Sequence, residues 1–427
     1  MFDNHHISDI ILGKKAKDVS GIKRFDNAVV MPGAIDAHVH INEPGRTEWE
    51  GFETATAAAA AGGITTIVDM PLNSSPVTTT AAAFEQKMDA GINKLYVNCG
   101  LYGGLVPENK ADIEDLIQCG VLGIKCFLTH SGIDDFPNVG KEDLEAVLPL
   151  IAKYNIPILA HCELTTPLEQ PPNRDPRNYQ QYLESRPKKW ENDAVKLMID
   201  LCEKYKVSTH IVHVSSADAL AAIAKAKNKD LPLTAETCPH YLYFNSETIP
   251  NNNTLYKCAP PIRSKENNLN LKKAFKTGVL DFLASDHSPA PPHLKAIESG
   301  NLIKAWGGIS SLQYLLSAAW SSLKEVLTLE EFIPLLTEKP ARFLAIQSKK
   351  GFIKKGMDAD ITVWLPEESF LVTQKDNQHR HKISPYINQT LSGKPIATYV
   401  NGVEVFNQQI LNQKSGKWIL KKQTLIR

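Results

Sequence analysis

The sequence lacks a charge excess and a long apolar run, and each absence excludes a class of partner. Its 427 residues carry 47 basic and 47 acidic side chains, so the formal net charge is zero. Nucleic-acid-binding surfaces usually show as a basic excess, so no nucleic-acid partner is expected. No stretch approaches the roughly 18 continuous apolar residues of a transmembrane helix, so no membrane partner is expected either. The first residues, MFDNHHISDIILGKK, lack the basic and apolar regions of a signal peptide, and we therefore expect a cytoplasmic protein.

Paired cysteines are also missing. The seven cysteines are Cys99, Cys119, Cys126, Cys162, Cys202, Cys238 and Cys258. Their number is odd, no CxxC pair occurs, and most of them lie in apolar, strand-like segments. A disulfide framework needs paired cysteines in a secreted chain. The sequence therefore predicts reduced, buried cysteines in an intracellular protein.

What the sequence does contain is an alternation of short β-rich runs with helical patterns. The runs cover residues 28–41, 63–70, 94–103, 121–128, 156–163, 209–216, 232–244 and 279–288. Between them, segments such as KEDLEAVLPLIAKYN place apolar residues at the i, i+3, i+4 spacing of a helix. Parallel strands need crossover helices, and eight such units favour closure into a barrel. The sequence predicts an α/β fold with a TIM-like (β/α)8 barrel.

The pattern changes after residue 350. Segments such as GFIKKGMDADITVWLPEE predict short strands, and VNGVEV places Asn-Gly between β-formers, which is a hairpin signal. We expect this region to combine with the start of the chain in a small β-sandwich domain. The predicted divisions are 1–27 and 350–427 for that domain and 28–349 for the barrel.

Polar residues recur where the predicted barrel strands end, at His38, His40, Lys125, His161, His213 and Asp286. The carboxyl ends of barrel strands meet on the face that carries active sites. Residues two apart on a strand point the same way, so His38 and His40 could bind one ion together. Imidazole and carboxylate groups are ligands of zinc and its neighbours. A single histidine at a strand end is usually structural, so the metal-site hypothesis depends on their joint placement.

Lys125 lies inside the otherwise apolar run GIKCFL. A buried ammonium without a partner is costly, so one interpretation is that Lys125 pairs with an acidic residue. The alternative is that a neutral lysine takes up carbon dioxide to form a carbamate. Such a carbamate could bridge two metals about 3.5–4 Å apart, the spacing of two-metal hydrolytic sites.

Three further histidines receive weaker predictions. His379 lies in a polar tail segment and is predicted to be solvated. His210 precedes His213 by three residues, so strand alternation directs it away from the barrel lumen if His213 points inward. His240 lies at a strand end, and contact with a substrate and a structural role remain equally open.

Several segments resemble, in order, those of the cyclic amidohydrolase family. The resemblance covers about residues 28–365 and is carried by DAHVHINEPGRTEWEGF, GVLGIKCFLTHSGIDDFPNV, AHCE, HVSSADAL, ETCPHYLYF, KCAPPIRSKENN, DFLASDHSPAPPHLKA and AWGGISSLQ. It implies a hydrolase of cyclic amide bonds that acts on a small molecule.

The resemblance also implies a site with two divalent metal ions. Zinc is expected, with manganese, cobalt and iron(II) as alternatives. The implied ligands of the more buried metal are His38, His40 and Asp286. Those of the second metal are His161 and His213, and Lys125, as N6-carboxylysine, is the implied ligand of both metals. By the same resemblance, a hydroxide shared by the metals would attack the ring amide carbon, and Asp286 would act as the general base. A homotetramer is the implied assembly.

The choice among substrates depends on Asn42. Family members act on allantoin, dihydroorotate or hydantoins, and the relatives that bind the dihydroorotate carboxylate usually have arginine at this position. Asn42 carries no charge, which suits the neutral ureide allantoin, although it could also be only a turn residue. The implied further substrate contacts are Ser131, His240 and Ala259. A dihydroorotase, a hydantoinase and a non-catalytic scaffold remain alternatives, but scaffold relatives usually lose metal ligands, and all six are present here.

Overall fold

The computed structural model describes residues 2–3, 5–11, 22–167, 174–408 and 410–421. The strands are β1 Phe2–Asp3, β2 His6–Ile7, β3 Val29–Pro32, β4 Ala34–Val39, β5 Ile64–Asp69, β6 Asn98–Leu101, β7 Gly103–Gly104, β8 Ile124–Phe127, β9 Ile158–His161, β10 Thr209–Ile211, β11 Leu233–Thr237, β12 Phe282–Leu283, β13 Ile361–Leu371, β14 Thr390–Val400, β15 Val403–Asn407, β16 Ile410–Leu411 and β17 Trp418–Ile419. The α-helices are α1 Phe52–Ala61, α2 Ala81–Ala90, α3 Ile113–Cys119, α4 Lys141–Tyr154, α5 Tyr179–Glu184, α6 Lys188–Tyr205, α7 Leu220–Lys227, α8 Pro239–Tyr243, α9 Lys265–Lys276, α10 Leu315–Leu323, α11 Leu329–Phe332 and α12 Glu338–Phe343.

Parallel strands form a closed ring. One sheet has the order β17-β6-β5-β4 and the other β12-β11-β10-β9-β8-β7. Only Tyr102 separates β6 from β7, so the two sheets continue into each other. The opposite edges of the two sheets are β4 and β12. They meet where His287, after β12, forms a parallel bridge with Val39 and its carbonyl accepts from the His40 N–H at 2.8 Å. With β6 and β7 counted as one, the ring has eight strands, and the predicted TIM-like barrel is confirmed.

Each predicted β-rich run contains one barrel strand, and helices connect them. Every residue of β4, β5, β8 and β9 is buried, as expected for parallel strands covered by helices. An apolar cluster joins residues from separate parts of the ring, including Ile35, Val68, Leu159 and Phe282. Because β9, which carries Leu159, lies across the ring from the neighbouring strands β4, β5 and β12, these contacts fill the barrel interior.

An antiparallel sheet of order β16-β15-β14-β13-β3 stands beside the barrel. The predicted hairpin is present, because Asn401 and Gly402 alone connect β14 to β15. The chain passes from this sheet into the barrel at Gly33, where a Cβ atom would lie 2.1 Å from Thr65 Oγ1. The domain boundaries 27/28 and 349/350 stay predictions.

Within the described residues, no helix is both long enough and apolar enough to cross a membrane. All seven cysteines are free thiols, and all but the half-buried Cys119 are buried.

Candidate metal site and its cavity

The six residues predicted from strand ends converge on one cavity of about 800 Å³. All six are buried and line its wall: His38, His40, Lys125, His161, His213 and Asp286. They come from β4, β8, β9 and the segments that directly follow β4, β10 and β12. The structure therefore brings together residues that are dispersed over most of the chain.

Asp286 lies close to both His38, in β4, and His40, which directly follows β4. Its Oδ1 atom is 3.2 Å from His38 Nε2 and 3.5 Å from His40 Nε2. Burial disfavours the charged carboxylate, but His38, His40 and His213 outweigh it and hold the Asp286 pKa below its usual range. Burial lowers the pKa of His40 to about 4, so this imidazole is neutral. One ligand atom from each of the three residues lies within 4.8 Å of the others, and two imidazoles with one carboxylate are a donor set that fits zinc.

His161 and His213 form a second pair. His161 Nδ1 and His213 Nε2 are 2.9 Å apart, and burial lowers the pKa of both imidazoles. Phe127 stacks on the His161 ring at a centroid distance of 4.5 Å. His213 and Asp286 both have left-handed backbone conformations, with φ of 41° and 44°. This conformation redirects both side chains into the cavity after their strands have ended.

Lys125 is fully buried, and its Nζ atom has no hydrogen-bond partner among the described residues. Its nearest aromatic neighbour is the Phe127 ring, 5.0 Å from Nζ to the centroid. Burial lowers the Lys125 pKa to about 8. No ion pair joins Lys125 to an acid in the described part of the chain, so the first interpretation gains no partner. With this pKa, about a tenth of the amine is neutral at pH 7.

The four predicted substrate contacts divide into two groups. Ser131 and Ala259 line the cavity directly. Asn42 and His240 are fully buried and are not among its lining residues. Asn42 donates to the Pro289 carbonyl at 3.4 Å, whereas its Oδ1 and both ring nitrogens of His240 have no hydrogen-bond partner among the described residues. The His240 ring lies close to the cavity, since His240 and the lining residue Asp286 belong to one cluster of ligand atoms within 4.8 Å of one another.

Two predictions about other histidines were wrong. His210 packs on Phe282 in the barrel interior, with ring centroids 5.1 Å apart, because the left-handed turn at His213 breaks the strand alternation. His379 is buried and stacks on His287 at 4.6 Å. The tail around it folds onto the barrel, where the Arg380 N–H donates to Glu50 Oε1 at 3.0 Å.

Sequence reasoning also missed two carboxylates that contact the histidines. Glu236 Oε1 is 2.6 Å from His38 Nδ1, and Glu163 Oε2 is 2.9 Å from His161 Nε2. Burial opposes ionisation of Glu236, but His38 and His210 hold its pKa at about 2. The available signal was a charged residue inside the apolar run PLTAETCPHYLYF, the same signal that drew attention to Lys125.

The chain is similar to known proteins along most of its length. The Amidohydrolase family matches residues 29–405. An allantoinase from Arabidopsis thaliana is 44% identical over 400 residues, covering 90% of this chain and 79% of the relative. An allantoinase from Streptomyces avermitilis is 37% identical, covering 98% and 92%. Among solved structures, an L-hydantoinase (dihydropyrimidinase) from Arthrobacter aurescens matches with a TM-score of 0.91 at 28% identity, covering 98% and 95%.

Proposed function

The chain belongs to the amidohydrolase family, and we propose that it hydrolyses the ring amide bond of allantoin to give allantoate. The observation that carries the proposal is the convergence of four histidines, a lysine and an aspartate on one buried cavity. Relatives named allantoinase, from a plant and a bacterium, support the choice of substrate. A dihydroorotase or hydantoinase activity is the alternative within the same fold.

Two divalent ions would be held by the converging side chains. The more buried ion is assigned His38, His40 and Asp286, and the second ion His161 and His213. When bound, such metals polarise a carbonyl and lower the pKa of water towards neutrality. We favour zinc over manganese, cobalt or iron(II), since neutral imidazoles and a carboxylate fit it well.

Lys125 would bridge the two positions as a carbamate. Its neutral amine nitrogen forms a bond to the carbon of carbon dioxide and loses a proton to solvent, which leaves an anionic group with two oxygens. The fully buried Nζ finds no hydrogen-bond partner among the described residues, and this supports the role, because a carbamate exchanges such a cation for an anion among histidines.

Asp286 would move the proton. An ionised carboxylate accepts the proton of the attacking water as the bond from oxygen to the ring carbon forms. It then returns that proton to the ring nitrogen as the carbon–nitrogen bond breaks. The histidines that hold the Asp286 pKa low against the effect of burial keep it in the required ionised form.

Substrate would be oriented by Ser131 and Ala259 at the cavity wall and by Asn42 and His240 beside it. The unpartnered Asn42 Oδ1 supplies an acceptor without a charge, which suits the N–H groups of a ureide. We further propose a homotetramer in the cytoplasm.

A substrate panel tests the proposed function. We expect purified protein with added zinc to hydrolyse allantoin and to leave dihydroorotate and hydantoin largely unchanged. Treatment with a chelator should abolish turnover, and added metal should restore it, with about two ions per chain by elemental analysis. Turnover of dihydroorotate without turnover of allantoin would overturn the substrate, and a folded protein that binds no metal would favour a scaffold.

Asn42→Gly tests the substrate contact separately. Asn42 has a φ of 68°, which glycine adopts without strain, so the variant removes the amide and keeps the backbone. We expect the KM for allantoin to rise about ten-fold with metal content unchanged, the cost of about one hydrogen bond.

Asn155→Gly is the matched control for that substitution. Asn155 follows α4 with a φ of 49°, does not line the cavity, and precedes β9 at the end opposite His161, so its replacement should leave KM unchanged. If Asn42→Gly also retains the wild-type KM, Asn42 is only a turn residue.

A further inference from the structure

Glu236 lies between two histidines beneath the candidate metal site. Its Oε1 is 2.6 Å from Nδ1 of His38, and its Oε2 is 3.2 Å from Nε2 of His210. All three side chains are at most 1% exposed to solvent. With so little solvent access, the protons in this group are fixed by its own donors and acceptors.

The proton positions follow from the chemistry of the groups. An ionised carboxylate only accepts hydrogen bonds, so His38 must carry its proton on Nδ1. In the neutral form that a metal ligand needs, the lone pair of His38 is then on Nε2, which lies 3.2 Å from Asp286 Oδ1. Two acceptors face each other there, an arrangement that a cation stabilises.

The far side of the carboxylate follows the same rule. His210 Nδ1 is 2.7 Å from Thr234 Oγ1. A hydroxyl that donates to Nδ1 leaves the His210 proton on Nε2, directed at Glu236. Oε1 of Glu236 is thus hydrogen-bonded to Nδ1 of His38, whereas Oε2 lies 3.2 Å from Nε2 of His210, an ion-pair distance without hydrogen-bond geometry.

We propose that Glu236 is a positioning residue that fixes His38 as the Nδ1–H tautomer and directs its Nε2 lone pair towards the metal. The inference rests on the proposed function, because that proposal supplies the metal. A carboxylate behind a histidine ligand orients its ring and raises its basicity, which strengthens metal binding.

A purely structural role explains Glu236 less well. It occupies a barrel strand, β11, among buried neighbours such as Ala235 and Thr237, where an apolar side chain would pack at lower cost. No lysine or arginine forms an ion pair with it in the described part of the chain. Its oxygens lie at ion-pair distance from His38 and His210, and His38 is the candidate metal ligand.

Metal affinity without substrate tests the proposal. Glu236→Gln keeps the shape and one acceptor oxygen, whereas Glu236→Leu removes both acceptors. We expect zinc affinity, measured by competition with a chelator, to fall in the order wild type, Glu236→Gln, Glu236→Leu, with a total loss of about 10- to 100-fold. Wild-type affinity in the folded leucine variant would overturn the inference.

Asp360→Asn is the matched control. Asp360 is also a buried carboxylate, but it pairs with Lys350 beside β13 in the antiparallel sheet. This variant should lose stability and keep the zinc affinity of the wild type. A similar loss of affinity in Asp360→Asn would show that general destabilisation explains the effect of Glu236, and would overturn the positioning role.

The tautomer itself provides a readout that needs no variant at Glu236. In metal-free full-length protein with ¹⁵N-labelled histidine, we expect the His38 signal to show the Nδ1–H form, assigned by its loss in His38→Asn. An Nε2–H form would overturn the inference even if the Glu236 variants failed to fold. A wild-type protein that binds no zinc but shows the Nδ1–H form would refute the proposed function and leave this inference about His38 standing.

Discussion

Lys125→Ala is expected to lose most of its bound metal and about three orders of magnitude in kcat/KM for allantoin. The reason is the position of Nζ, which is buried at the cavity wall and has no hydrogen-bond partner in the part of the chain that the structure describes. After the larger effect of burial, the positive charge of Lys125 contributes to the lowered pKa of His40, His161 and His213. A group so close to both histidine pairs is placed to connect two metal positions.

Chemical rescue distinguishes a carbamate from an ordinary lysine. Acetate or propionate should enter the space left by Lys125→Ala and raise its turnover about ten-fold with added zinc. Wild-type protein incubated with ¹³C-labelled bicarbonate should give a carbamate signal that the variant lacks. Full metal content and full activity in Lys125→Ala would rule out the bridging role.

Lys87→Ala is the control for loss of a buried lysine. Lys87 Nζ donates to Asp69 Oδ2 at 2.7 Å and to the Met70 carbonyl at 3.0 Å, so it already has partners. Its removal leaves Asp69 buried without its cation and should destabilise the fold by about 3 kcal/mol. Carboxylic acids should not rescue this variant, because its defect is not a missing metal ligand.

The barrel was predictable because its signals are local. Each strand is a short apolar run, and helix α4 shows its apolar face within one segment of the sequence. The rule that strand ends share one face then located all six candidate ligands without long-range information, and four of them lie in a strand or directly after one: His38, His40, Lys125 and His161. These four positions follow from strand assignment alone.

Other parts of the site depend on backbone geometry that composition does not reveal. His213 and Asp286 reach the cavity through left-handed conformations, which histidine and aspartate seldom adopt, so strand alternation misplaced His210. The burial of His379 depends on contacts such as Arg380 with Glu50, 330 residues apart in the sequence. No pattern in the polar tail indicates that it packs against the barrel.

Asp286→Asn is expected to lower kcat/KM by at least about three orders of magnitude while the fold remains intact. The amide matches the carboxylate in shape, but it carries no negative charge and cannot accept a proton from the attacking water. His38 and His40 would lose the charge that now lies 3.2 Å and 3.5 Å from their Nε2 atoms. Turnover and metal content should be measured on the same preparation, because a proton carrier that is also a ligand affects both.

Asp281→Asn is the matched control, since Asp281 precedes the same strand β12 at its opposite end. Its carboxylate accepts from Lys227 at 2.6 Å and from the Ala235 N–H at 2.7 Å, outside the cavity. This variant should lose some stability and keep its turnover. If Asp286→Asn retained bound metal and turned over allantoin within ten-fold of the wild type, the proton would have to pass through another group. The next residue to replace would then be His240, because its ring nitrogens have no hydrogen-bond partner within the described ranges and burial lowers its pKa to about 4.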